Sequence, residues 1–315
     1  MRPASARHHR PGGGLRLFLV FALVCAAAQA AGNQGDVARG EYVFRAAGCA
    51  GCHTDRDNHG PFLAGGRALS TPFGTFYAPN ITPDPRHGIG GWTRSDFVRA
   101  MSRGVAPDGS HYYPVFPYTS YTRMRRDDLL ALRAYLDQVP PVARPNRPHD
   151  IAWYLSFRPL MAIWKWLFFT PGTFENDPAR PPEWNRGAYL ARAMAHCGEC
   201  HTPRNRLGVA DVTRRLAGTR NGPEGKPVPN ITPHPRRGIG RWDLDDLVYY
   251  LKTGMTPGGD FAGGLMAEVI DDGLRHLTDS DRKAVAAYVK SVPPVDAAID
   301  ENTEKGGRKR DEFAY

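Results

Sequence analysis

The chain of 315 residues is long enough for two domains of ordinary size, and its 41% hydrophobic and 23% charged residues sit near globular averages. Gly 34 and Pro 28 are too few for a low-complexity or collagen-like chain, and five cysteines are too few for a disulfide lattice of the small secreted kind. The formal charge of +9 raises nucleic acid as a partner, but four of those nine charges are Arg2, Arg7, Arg10 and Arg16, and no nucleic-acid motif accompanies the rest. Nucleic acid is set aside.

Residues 1–30 read as a signal peptide: a basic start, an apolar run from Leu15 to Val24, then the small residues Ala26, Ala27, Ala28, Ala30 and Ala31. The apolar core is short of the roughly 20 residues a spanning helix needs, so cleavage near Ala30 or Ala31 and export are expected. Export would remove Cys25 and leave four cysteines.

A first helix is expected from a cap at Asp36 through Val37, Gly40, Val43 and Phe44 to just before Cys49. Thr93 caps a middle helix with Phe97, Val98 and Met101, and a last helix runs from 127 to 139, stopped by Pro140 and Pro141. The same three elements return at Trp184 to Ala195, from a cap at Asp243, and from Thr278 to Val292, before Pro293 and Pro294. Gly40 allows the first helix to cross close to the last near Tyr135, and Gly187 repeats this at Tyr288. Between the copies, residues 141–182 form a Pro-rich linker. Its apolar stretch Ile151 to Phe169 is interrupted by Arg158, Pro159 and Lys165, which argues against a span and for packing over both domains or against a partner. Residues 296–315 read as a mobile charged tail.

The remaining cysteines fall into Cys49-Ala50-Gly51-Cys52-His53 and Cys197-Gly198-Glu199-Cys200-His201. Both are C-x-x-C-H, the spacing at which two thiols add to the vinyl groups of haem and the adjacent His ligates iron. About 0.003 such matches are expected by chance at this composition. A zinc site would gather four ligands into one place, and a thioredoxin-like pair needs no following His. The loop Pro79 to Trp92 returns as Pro229 to Trp242 with eleven of fourteen positions identical, in nearly constant relation to His53 and His201. Each copy therefore reads as one haem domain.

Both halves resemble class I cytochrome c domains. From about residue 36 to 295 the chain is similar to the cytochrome c subunits of bacterial membrane-associated alcohol, aldehyde and gluconate dehydrogenases. The likeness rests on both haem motifs, both Asn-Ile-Thr-Pro loops, the segment Tyr112 to Tyr121, and His196 to Asn205. Those subunits usually carry three haems, whereas this chain shows two motifs. The resemblance implies an all-α fold of two tandem domains, 36–140 and 183–295, and two covalently bound haem c groups held by Cys49, Cys52, His53, Cys197, Cys200 and His201.

A low-spin haem takes a sixth ligand, commonly Met. In the second copy Met266 follows Gly263-Gly264-Leu265 in the loop where class I cytochromes place it, while Met255 and Met194 read as core. In the first copy Phe116 stands opposite Met266. Met124 is then the favoured ligand, because similar family members often end the Phe-Pro-Tyr-Thr-Ser-Tyr segment in such a Met. His111, His59 or an open site are the alternatives, and core packing is the bland reading of Met124, which aligns with Leu277. Trp92 and Trp242 read equally as donors to haem propionates or as core anchors, Asn80 and Asn230 as turn residues, and Pro61 as a carbonyl near His53.

The function expected is a periplasmic dihaem cytochrome c passing single electrons from an exported dehydrogenase to a cytochrome, oxidase or quinone-linked acceptor. Peripheral membrane association through such a complex is left open. A dihaem redox enzyme of peroxidase or thiosulfate-oxidising type and a haem-based sensor are the competing readings. Either needs an open iron position, and no acid–base constellation stands beside either motif.

Overall fold

The computed structural model describes residues 34–299, so the expected signal peptide and all but the first four residues of the expected charged tail lie outside the described residues. In each half a first and a last helix cross, with a middle helix packed on the last. Helices α1 (34–46), α2 (Cys49–His53), α3 (Arg94–Arg103), α4 (Tyr118–Tyr121) and α5 (Arg126–Leu136) build the first half. Helix α6 (Pro159–Phe168) lies in the linker, and α7 (Pro182–Tyr189), α8 (Gly198–His201), α9 (Leu244–Thr253), α10 (Gly264–Asp272) and α11 (Asp279–Ser291) build the second.

The crossings depend on glycine. A Cβ on Gly40 would stand 1.9 Å from the Ala131 carbonyl oxygen, and one on Gly187 would stand 1.9 Å from that of Ala284. The middle helices start where sequence places them: Thr93 and Asp243 each accept from the backbone N–H three residues on, and Asp96 and Asp246 return the bond. Each such cap contributes about 1 kcal/mol. Thr278 likewise accepts from the N–H of Asp281.

Three expectations change. Residue 34 is already helical and Asp36 lies inside α1, so Asp36 is not its cap. The helix expected over 184–195 ends at Tyr189 and continues as a wide turn, Leu190–Met194, in which Ala195 N–H donates to Leu190. Helix α5 stops at Leu136: the Asp137 N–H still reaches the Arg133 carbonyl, but those of Gln138 and Val139 reach back only three residues, to Tyr135 and Leu136, ahead of Pro140.

The fold is also not purely helical. Strands β1 (Ala68–Thr71), β2 (Gly74–Tyr77) and β3 (Asp150–Ile151) form an antiparallel sheet in that order, with Leu69 opposite Phe76 and Gly74 opposite Ile151. Strands this short carry too little alternation to be read from sequence. The third belongs to the linker, which is thereby stitched to the first half. Helix α6 continues the attachment: Met161 is buried near Phe76 and Tyr113, and the Trp164 indole donates to the Leu207 carbonyl of the second half. The linker thus packs over both halves. No helix among the described residues is long and apolar enough to cross a membrane.

One apolar core runs through both halves, from Val43, Phe44 and Leu132 to Tyr189, Leu190 and Val285. Where the halves meet they exchange side chains in matching pairs. Asp128, on α5, accepts from Arg39 of its own half at 2.8 Å and from the Tyr189 hydroxyl of the other half at 2.5 Å. Asp281, on α11, accepts from Arg186 of its own half and from the Tyr42 hydroxyl of the other.

Candidate haem sites

Gly48 and His196 precede the first cysteine of each motif, and both adopt left-handed backbone, φ 61° and 40°. That reversal lets α1 and the wide turn after α7 end and the short helices α2 and α8 begin at a new angle. The helical turn then places Cys49, Cys52 and His53 on one side, and Cys197, Cys200 and His201 likewise.

The His53 Nδ1 lies 2.8 Å from the Pro79 carbonyl oxygen, and the His201 Nδ1 lies 2.9 Å from that of Pro229. A carbonyl only accepts, so each Nδ1 carries the proton and each Nε2 presents a lone pair for iron. Burial holds both imidazoles below the ordinary His range, which keeps them neutral and ligating. The carbonyl is therefore that of Pro79 and not of Pro61, whose oxygen accepts from the Ala64 N–H.

Burial pushes the thiols of Cys49 and Cys200 up to about 12 and that of Cys197 to about 11. The four cysteines are free of disulfides. Before Cys49, Cys52 and His53 opens a mainly apolar cavity of about 1050 Å³, walled by Ile81, Ile89, Trp92, Met101, Phe116 and Tyr121. Two thiols, a neutral imidazole and an apolar chamber of this size fit a covalently attached haem. In the second half Met266 lies on α10, half-buried against the common core together with Trp242, while Ile239, Leu247 and Leu251 are buried within it.

The structure separates the candidates for a sixth ligand. Met194 is 1% exposed within the core, as expected. Met124 is 2% exposed in the core and does not line the cavity before His53, whereas Met101 of α3 reaches the cavity wall. His111 is held beside Lys165, with 3.1 Å between its Nδ1 and the amine, and His59 is exposed on a short turn. Asn80 and Asn230 are turn residues of a demanding kind. Each accepts from the N–H and hydroxyl of the threonine two residues on and donates to carbonyls beyond the last helix of its half.

Sequence reasoning missed how closely the two motifs meet. His196, Glu199 and Cys200 border the same cavity as Cys49 and Cys52, and the Tyr121 ring sits 5.4 Å from the His196 ring while its hydroxyl donates to Ala47. Each motif is gripped by the other half. Arg67, whose guanidinium donates to Gly51, pairs with Glu268 of α10, and Arg56 pairs with Asp272 at 2.6 Å. Glu199 accepts from Thr119 at 2.8 Å and Ser120 at 2.5 Å, both on α4, and from Arg204. The matching left-handed residues before each Cys and the Arg at 67 were visible in the sequence, but no spacing rule links them to the opposite half.

The family model for cytochrome c matches residues 37–140 and 185–293. Over 84% of its length the chain is 48% identical to a dihaem cytochrome c-type protein of Cereibacter sphaeroides, 89% of which it covers. It is 42% identical to the cytochrome subunit of fructose dehydrogenase from Gluconobacter japonicus and 40% identical to the cytochrome c subunit of gluconate 2-dehydrogenase from Pantoea cypripedii. It spans 54% and 62% of those two subunits.

Proposed function

The chain belongs to the cytochrome c family and carries two covalently bound haem c groups, and from that premise we propose that it is a periplasmic carrier passing electrons from a dehydrogenase to a respiratory acceptor. The haems supply one-electron exchange at iron. The residues of the chain orient the groups, exclude water from them and set their potentials. Pro79 and Pro229 fix the two imidazoles, and the apolar walls around the first motif would keep water from the haem bound there.

The observation that carries this reading is the meeting of both motifs at one packed interface, with Cys52, His196, Glu199 and Cys200 around a common cavity. Two redox centres held together by Arg67, Glu268 and Glu199 suit transfer through the molecule, in at one haem and out at the other. The relatives that are subunits of fructose, alcohol and gluconate dehydrogenases support a dehydrogenase as donor. Export rests on the basic, then apolar, then small-residue pattern of residues 1–30.

Met266 is proposed as the sixth ligand of the second haem. For the first, Met124 is the candidate of the sequence pattern, and the place of Met101 on the cavity wall makes it a second thioether for that iron. The test of function is to mix the purified dihaem protein with exported dehydrogenases of its own host and to supply alcohol, fructose or gluconate. A substrate-dependent rise in ferrous haem absorbance supports a carrier. Turnover of peroxide or thiosulfate by the protein alone would replace that reading with the enzyme.

A further inference from the structure

Beside the second haem motif, adjoining the larger cavity at Glu199, Thr202 and Arg204, lies a pocket of about 250 Å³ into which three arginines from three different elements converge: Arg123 after α4, Arg192 in the wide turn after α7, and Arg215 in the loop following residues 212–214. Among the described residues none of the three guanidinium groups makes an ion pair or a hydrogen bond, and the Arg192 Nε is buried without a partner. The carboxylate that faces them, Glu199, is already engaged by Thr119, Ser120 and Arg204. Burial first, and then the neighbouring arginines, depress Arg123 and Arg215 below the usual guanidinium range. Three cations in a half-buried site, with one carboxylate committed elsewhere, form a cost that an incoming anion removes.

Gly198, Glu199 and Thr202 line this pocket, whereas Cys197, Cys200 and His201 of the same motif do not, nor do Pro229, Trp242 and Met266. We propose that Arg123, Arg192 and Arg215 form a binding site for a phosphate-class anion. Forked guanidinium groups converging from three sides match the several acceptor oxygens of a tetrahedral phosphate, and the pocket volume admits one phosphate group with a small substituent.

The anion has two potential sources, free phosphate and a phospholipid headgroup. Trp164 and Phe168 of α6 border the pocket, and the same helix exposes Ile163, Trp166 and Leu167, with Trp166 83% exposed. A headgroup in the pocket would set its acyl chains against that apolar face.

The experiment uses the dihaem holoprotein in two arms. Calorimetric titration with inorganic phosphate at fixed ionic strength should show one saturable site, weakened about tenfold or more in Arg192→Gln and Arg215→Gln, since one charge-assisted bond lost is worth at least that factor. Arg214→Gln, on the exposed neighbour, should leave binding unchanged. In the second arm, sedimentation with phosphatidylglycerol vesicles but not phosphatidylcholine vesicles, lost in the same two variants, assigns a headgroup as the source. Phosphate binding without vesicle binding assigns the free anion. If a variant fails to fold, a phosphate-dependent rise in the wild-type Tm over equimolar-charge chloride carries the test. Absence of that rise, or binding unaffected by Arg192→Gln and Arg215→Gln, overturns the site.

Discussion

His53 and His201 each depend on one proline carbonyl for their tautomer, and each proline is held by the asparagine that follows it. Asn80 ties its loop to Thr82 and to the carbonyls of Val142 and Arg144, so Asn80→Ala orphans several buried groups. We expect a loss of about 2–4 kcal/mol in denaturant unfolding of the holoprotein. At the second iron, Met266→Ala should lower one haem potential and leave the other little changed, since the thioether that favours Fe(II) is gone. Potentiometric titration reads both. An unaltered pair of potentials would show that Met266 is no ligand. The cysteines and histidines of both motifs were legible at this scale because attachment chemistry imposes a fixed spacing, which places no constraint on Met266. The role of Pro79 was not, because a carbonyl has no side-chain signature and lies 26 residues from its His.

Helix crossings and the linker account for most of the architecture. Gly40→Ala and Gly187→Ala each force a Cβ into a carbonyl oxygen at 1.9 Å, and the backbone must separate. Each should cost about 3 kcal/mol or more, the upper range of overpacking, as measured by thermal or denaturant unfolding. Both crossings were legible from the repeated glycine and tyrosine pairs. The sheet was not, since β3 is a two-residue strand supplied by the linker. Helix α6 is pinned by Lys165, whose amine donates to the carbonyls of Arg103 and Gly104 at the end of α3, beside His111. Burial lowers this amine from 10.5 to about 8. Between those values the unfolded chain binds the extra proton, so stability should rise with pH through that window. Lys165→Met should flatten the rise, as followed by Tm against pH.

At the scale of the whole molecule, the two halves share one core and exchange Tyr42 and Tyr189 across it. Burial raises Asp281, but hydrogen bonds from Arg186 and Tyr42 outweigh that and hold it below the ordinary value of 3.8. Its contribution is therefore present in full above that value and lost as pH falls below it, through the lower value of the folded state. Asp281→Asn should cost about 1–3 kcal/mol at pH 7, and the gap to wild type should close on acidification. The duplicated motifs made the two-haem plan legible. The packing of one half on the other was not, because Arg67 and Glu268, or Tyr42 and Asp281, are far apart in sequence and carry no pattern that pairs them.

A carrier requires both irons closed, whereas an enzyme or a sensor leaves one open to a small substrate. Carbon monoxide titration of the fully reduced dihaem protein, followed in the Soret band, decides this directly. A carrier with Met266 on one iron and Met124 or Met101 on the other should bind carbon monoxide weakly at both haems, and replacing the true ligand by Ala should create tight binding at one. Tight binding at the first haem of the unaltered protein would contradict the carrier and favour the enzyme or the sensor.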